Sequence, residues 1–165
     1  MLAKALEEKY GSKVTLVNPA LGGTQLSQNL ILMPRWLKDT PKPDLVTVCF
    51  GFNDYDSGMR GPRFREVMAF TVDRIRRETR GSADVVLLTT CPANKRWTEM
   101  EELSQAVRDV AKEKKTGLAD VSAEFHKTPE ADEALKLGYW AWDRTHLGAK
   151  GHEIFRDTVL DAIEK

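Results

Sequence analysis

The sequence predicts an α/β fold in which a parallel sheet lies between layers of helices. Strand-like runs alternate with amphipathic helical segments along the chain, and the run at 44–51 is nearly continuously apolar. This alternation is typical of parallel sheets, whose strands are apolar because both of their faces are covered. Such sheets bind ligands at the carboxyl ends of their strands, so a functional site is expected at that edge.

Each predicted element follows from local patterning. Residues 2–10 have the apolar spacing of a helix that stops at Gly11, and no capping residue precedes them, so the chain is expected to begin inside a helix. Further helices are predicted over 26–38, 63–80, 98–115 with a Thr98 cap, about 129–137, and 147–164. Strands are predicted at 13–18, 44–51, 84–92 and 116–122.

Length and composition indicate a single domain over residues 1–165. The 25 basic and 25 acidic residues balance, and 41% of the chain is hydrophobic, which argues against a nucleic-acid-binding surface and against disorder. No apolar stretch reaches the roughly 20 residues of a membrane span, and the compartment is left open. Cys49 and Cys91 end two apolar runs and are predicted to be buried free thiols. No metal and no cofactor is predicted.

Three short motifs occur where a site is expected. They are the glycine pair at 22–23, "GFND" at 51–54 and "DRTHLGAKGH" at 143–152. A glycine turn offers backbone N–H groups to an anion, Asn53 offers an amide, and Asp143 can hold the His146 imidazole in one tautomer. These are the supports of acyl transfer, an oxyanion hole and an oriented general base. Each motif alone is equally typical of a turn or helix cap, including Asp54 as a turn residue, so their conjunction carries the prediction.

The motifs resemble conserved blocks of the SGNH hydrolases, also called GDSL-type lipases and esterases. The stretches that carry the resemblance are "VNPALGGTQ", "GFND" and "DRTHLGAKGH", and it extends over essentially the whole chain, with Gly148 as a departure from the usual Asn or Pro. The resemblance implies a three-layer α/β/α, flavodoxin-like fold. It also implies that His146 is the general base, Asp143 its orienting partner, and Gly23 N–H and the Asn53 amide the oxyanion donors.

The family's nucleophile is a serine in a Gly-Asp-Ser motif at the end of the first strand, and this sequence has no such motif. Its serines are Ser12, Ser27, Ser57, Ser82, Ser104 and Ser122. The resemblance therefore implies that the domain is incomplete at its N-terminus and lacks its first strand. In the family's strand order, 2-1-3-4-5, that strand lies between the first two strands predicted here, so the chain alone is expected to be inactive.

The resulting hypothesis is a serine ester hydrolase that acts on small acyl esters, with acetylated carbohydrates as the narrower expectation. Trp140, Trp142 and Trp97 are candidate substrate-binding residues, although aromatic core packing or an exposed surface position would also explain them. The alternative is a non-catalytic domain of the same fold that binds a ligand or carbohydrate. The expected partner is a small-molecule or carbohydrate ester, and neither nucleic acid nor a membrane span is expected.

Overall fold

The fold is organised around a parallel sheet whose strands are neighbours in chain order. The computed structural model describes residues 1–40, 42–93, 98–129 and 131–164. In chain order the elements are α1 (Leu2–Tyr10), α2 (Leu26–Asp39), β1 (Leu45–Cys49), α3 (Phe52–Asp56), α4 (Gly61–Glu78), β2 (Asp84–Leu88), α5 (Glu101–Lys114), β3 (Gly117–Ala119), α6 (Val121–Phe125), α7 (Ala131–Lys136) and α8 (Ala149–Ile163).

Strand β2 lies between β1 and β3 and is apolar on both faces. Val85 and Leu87 pack into a cluster with α2, α4 and α5, whereas Val86 and Leu88 pack on the opposite face with α6 and α8. This alternation is the period of two that a strand imposes on its side chains. The predicted α/β class, with helices on both faces of a parallel sheet, is confirmed.

The predicted strand at 13–18 is wrong, because this segment forms no strand in the structure. The Val14 N–H donates to the Glu7 carboxylate at 2.9 Å instead of to a neighbouring backbone. A strand exists only through a partner, and within the described ranges β1 has β2 as its one strand neighbour. Residues 13–18 therefore have the propensity of a strand, but no neighbouring strand in the described structure pairs with them.

Two five-residue helices replace predicted strand or loop. Helix α3 begins after Phe50 and Gly51, which follow β1. Helix α6 takes up the end of the predicted strand 116–122, where the Asp120 side chain accepts a hydrogen bond from Ala123 N–H at 3.2 Å. Helix α5 begins at Glu101 and has no side-chain cap, so the predicted Thr98 cap is wrong. With five residues each, α3 and α6 complete little more than one turn, which is too short to show the apolar periodicity of a helix in the sequence.

A cleft of about 1130 Å³ lies between the 13–21 segment and β1. Apolar side chains on its outer wall are exposed, with Leu16 at 66% and Val17 at 47%.

Cys49 is exposed and Cys91 half-buried, both as free thiols, so the prediction of two buried thiols is wrong for Cys49. In the described part of the chain, no helix is both long and apolar enough to cross a membrane.

We predict that Gly51→Ala destabilises the chain much more than Gly58→Ala. Both glycines have positive φ, 134° and 86°, but a Cβ at Gly51 would lie 2.2 Å from the Thr90 hydroxyl oxygen, whereas one at Gly58 meets no atom within 4 Å. Backbone strain alone costs about 1 kcal/mol, and the added clash should bring the loss to about 3 kcal/mol. Urea unfolding of both variants measures the difference, and equal losses would contradict the prediction.

Candidate active site

Asn53 lies in α3, shortly after the end of β1, and contacts the glycine turn that precedes α2. The Asn53 side-chain amide donates to the Thr24 carbonyl oxygen at 3.2 Å. Gly23 has a φ of 76°, a left-handed conformation that glycine adopts without strain, and a buried Asn29 amide donates to the Thr24 hydroxyl at 2.8 Å. Asn53 and the residue after Gly23 are therefore in direct contact, although 29 positions separate Asn53 from Thr24 in the chain.

Asp54 links the two backbone segments that carry the glycine turn and Asn53. Its carboxylate is fully buried and accepts the N–H of Leu26 at 3.0 Å and the N–H of Gly51 at 3.1 Å. Burial raises the pKa of the Asp54 carboxyl, while the two backbone N–H groups act in the opposite direction. Asp54 thus does more than shape a local turn, because it joins the start of α2 to the end of β1. The sequence carries no signal for that long-range connection.

Asp143 and His146 form a hydrogen-bonded pair before α8. The carboxylate oxygen Oδ2 of Asp143 lies 2.7 Å from His146 Nδ1, and Oδ1 accepts the N–H groups of Thr145 and His146, each at 2.9 Å. These two N–H groups, and then the imidazole, lower the pKa of Asp143 to about 2. The ring of His146 is 80% exposed, so its other nitrogen is open to a ligand.

The loop that carries this pair is fixed mainly by its own backbone. Ala141 N–H donates to the His146 carbonyl at 2.8 Å, and Gly148 N–H donates to the Tyr139 carbonyl at 3.0 Å. Trp140 and Leu147 form an isolated antiparallel bridge between these two bonds. The hairpin so formed, the Asp143 carboxylate and the buried Trp140 together hold His146 in place.

Both pairs belong to the carboxyl edge of the sheet. Asn53 follows the end of β1, and the hairpin packs beside α6, which begins after the end of β3, through a Trp140–Phe125 contact with ring centroids 5.1 Å apart. Across the described ranges, no hydrogen bond links the Asn53 pair to the Asp143–His146 pair, and no group of three or more acidic, His or Cys side chains is arranged to hold a metal. The edge therefore carries hydrogen-bond donors and a carboxylate-bound imidazole.

Comparison with known proteins decides the family. The model of the GDSL-like lipase/acylhydrolase family matches residues 1–154. The chain belongs to this family. The resemblance predicted from the three motifs is thereby confirmed. A search of curated protein sequences found no match.

Solved structures of GDSL-type and related enzymes share the fold. A lipase/acylhydrolase from Enterococcus faecalis superposes with a TM-score of 0.80 at 21% identity, covering 98% of this chain and 82% of that one. A variant of an acetyl xylan esterase from Geobacillus stearothermophilus gives 0.73 at 21% identity, with coverages of 98% and 78%. A psychrotrophic esterase from a Pseudoalteromonas species gives 0.73 at 16% identity, with coverages of 99% and 84%. These likenesses show the fold.

The two tryptophans of the hairpin occupy opposite environments in this GDSL-family chain. Trp140 is 2% exposed and packs in the core, so its predicted contact with substrate is wrong, because the indole is enclosed by apolar neighbours. Trp142 is 88% exposed beside Asp143 and is free to meet a ligand. Trp97 lies outside the described residues.

The departure from the family's usual pattern at Gly148 has a structural reason in this chain. A Cβ at position 148 would lie 2.3 Å from the carbonyl oxygen of Gly138, which closes the base of the hairpin. A side chain there requires the hairpin to move. Glycine therefore allows the close approach of the hairpin strand to the start of α8.

We predict that Asp143 titrates near pH 2 and stays below its ordinary value of 3.8 in His146→Ala. Backbone N–H groups are the largest cause of the lowered pKa, and they persist when the imidazole is removed. Because the folded pKa is depressed, the loop keeps this stabilisation above about pH 4 and loses it as the pH falls toward 2. A side-chain carboxyl NMR titration measures both midpoints, and a return to 3.8 in the variant would contradict the assignment.

Proposed function

We propose that this chain supplies the general base and oxyanion donors of a serine ester hydrolase that acts on small acyl esters. The observation that carries the proposal is the 2.7 Å contact between Asp143 and His146 Nδ1 at the sheet edge that also presents Asn53. With Nδ1 occupied by the carboxylate, Nε2 of His146 is the proton acceptor. Membership of the GDSL-like lipase/acylhydrolase family supports the same reaction class.

In the proposed reaction a serine oxygen bonds to the acyl carbon while His146 Nε2 takes the hydroxyl proton. The carbonyl electrons move to oxygen, where the Gly23 N–H and the Asn53 amide donate hydrogen bonds to the negative charge. The bond to the alcohol then breaks, and His146 returns the proton to that leaving group. Water repeats the sequence on the acyl-enzyme to release the acid, and Asp143 stabilises the imidazolium at each stage.

We propose that the nucleophilic serine is not among those of this chain. The Ser104 hydroxyl is buried and donates to the Thr90 carbonyl, and the buried Ser122 hydroxyl donates to Glu101. Ser57 donates to the carbonyl of Asn53 at 2.7 Å. In the described part of the chain, no serine hydroxyl is hydrogen-bonded to His146. That same observation favours the second candidate, a non-catalytic ligand-binding domain.

The proposed substrates are small-molecule or carbohydrate esters. The exposed indole of Trp142 beside Asp143 offers a flat apolar surface of the kind that stacks on a sugar ring. One structural neighbour is an acetyl xylan esterase, which makes acetylated carbohydrate the narrower choice. That residues 1–165 form one domain remains a prediction.

We predict that hydrolysis of p-nitrophenyl acetate requires an added nucleophile and then depends on Asn53. The chain alone should match its His146→Ala variant. A chimaera with a strand ending in Gly-Asp-Ser ahead of Met1 should hydrolyse the ester, and Asn53→Ala should lower its kcat roughly 100-fold through loss of one oxyanion donor.

The matched control is Gln105→Ala, which removes an exposed amide from α5 and should leave kcat unchanged. A His146-dependent rate in the chain alone would show that one of its own serines is the nucleophile. A chimaera that folds, yet has no His146-dependent activity, would refute the hydrolase in favour of the binding domain. A kcat loss below about tenfold in Asn53→Ala would refute the role of that amide.

We predict that Trp142→Ala weakens use of acetylated xylo-oligosaccharides without affecting p-nitrophenyl acetate. Loss of the stacking surface should raise KM for the oligosaccharide roughly three- to tenfold in the active chimaera. Phe70→Ala removes another exposed aromatic ring, from α4, and serves as the control. Steady-state kinetics on both esters separates the effects, and a proportional change in KM on both would argue against a carbohydrate platform.

A further inference from the structure

A buried asparagine on α2 has no part in the proposed reaction. Asn29 is 1% exposed, and a helix is an unfavourable place for an asparagine because its side chain competes for backbone hydrogen bonds. Its amide nevertheless uses both of its N–H donors, since Nδ2 donates to the Thr24 hydroxyl and to the Gln25 carbonyl, each at 2.8 Å. The buried amide therefore holds the two residues that precede α2.

The Thr24 hydroxyl is bonded on two sides and closes the glycine turn. It accepts the Asn29 amide, and its own hydrogen is donated to the Leu21 carbonyl at 2.6 Å. The second of these bonds spans the turn that contains Gly22 and Gly23. The main chain of Thr24 is thus held through its side chain from two directions.

The Thr24 carbonyl orients the side chain of Asn53. A carbonyl oxygen only accepts hydrogen bonds, so the contact at 3.2 Å selects the Nδ2 side of the Asn53 carboxamide and sets its rotation. In the part of the chain that the structure describes, no protein group accepts the second N–H of this amide, and none accepts the Gly23 N–H. Both proposed oxyanion donors therefore adjoin Thr24, and both have an N–H to offer a ligand.

We infer that Thr24 is a positioning residue for the oxyanion site, in which its side chain, supported by Asn29, holds the carbonyl that aims the Asn53 amide. The inference rests on the proposed function, because that function assigns this amide to the oxyanion. Without the hydroxyl, the Thr24 main chain loses both side-chain bonds, and the amide that its carbonyl orients loses its fixed direction. A preorganised donor stabilises a developing charge only while it is aligned, so the loss falls on the transition state rather than on substrate binding.

The kinetic test uses the chimaera that carries Gly-Asp-Ser ahead of Met1. Thr24→Val replaces the hydroxyl by a methyl group and should lower kcat for p-nitrophenyl acetate roughly tenfold with KM unchanged. Thr24→Ser keeps the hydroxyl and should stay within about twofold of the parent kcat. In the Asn53→Ala background, Thr24→Val should cost only about twofold, because the amide that it misaligns is absent.

The matched control is Thr79→Val. It removes another hydroxyl-to-carbonyl bond, from Thr79 to Ile75 at the end of α4, and should leave kcat unchanged. If Thr24→Val does not fold, Thr24→Ala serves in its place, because the smaller side chain leaves room for water to meet the Asn29 amide. Circular dichroism checks the fold of each variant.

The second test does not depend on catalysis and uses the intact 165-residue chain. Nitrogen-15 relaxation gives the order parameter of the Asn53 side-chain amide. This order parameter should fall from roughly 0.8 to below about 0.6 in Thr24→Val, and should keep its rigid value in Thr24→Ser and Thr79→Val.

Three results would each overturn the inference. They are a loss of kcat that Thr24→Ser shares with Thr24→Val, equal losses in Thr24→Val with and without Asn53, and an unchanged order parameter in Thr24→Val. A rise in KM at constant kcat would do the same. A chimaera without His146-dependent activity would refute the hydrolase, while the relaxation measurement would still decide whether Thr24 orients the amide, so the two failures are distinguishable.

Discussion

The buried carboxylate of Asp54 is the interaction on which the candidate site depends. It accepts N–H groups from Leu26 and Gly51, and so holds the first turn of α2 against the end of β1. A buried charge without such donors would cost several kcal/mol, so the two backbone positions are not free to drift apart. Gly23 lies three residues before Leu26, and Asn53 is adjacent to Asp54, so both lie close to this anchor. Their mutual hydrogen bond through Thr24 follows from it.

Most of the fold was predictable because burial repeats along the sequence with the period of each element. Each long helix that packs on the sheet has an apolar face in its sequence that indicates which residues are buried; these helices are α2, α4, α5 and α8. The continuous apolar run of β2 likewise indicates a strand covered on both faces. The local Asp-x-x-His spacing of Asp143 and His146 likewise predicted a contact that a single turn can make. In these cases the determining interactions lie within the element or close to it.

The remainder depends on partners that a linear pattern does not reveal. The 13–18 segment has strand propensity, but a ladder requires a neighbour, and in the described structure none pairs with it. Trp140 and Trp142 are two residues apart, and only the hairpin geometry decides that the first is buried and the second exposed. Asp54 accepts a hydrogen bond from Leu26, 28 positions away, and the sequence around neither residue predicts this contact.

The hairpin around Asp143 and His146 owes its shape to main-chain hydrogen bonds and to the close approach allowed by Gly148. Main-chain hydrogen bonds do not depend on the identity of the side chains. The exposed side chain of Trp142 takes no part in those bonds, so position 142 can change over evolutionary time, or in a directed library, without moving the imidazole. The hairpin can keep His146 in place while position 142 varies, so the side chain proposed to meet a substrate can change independently of the proposed general base.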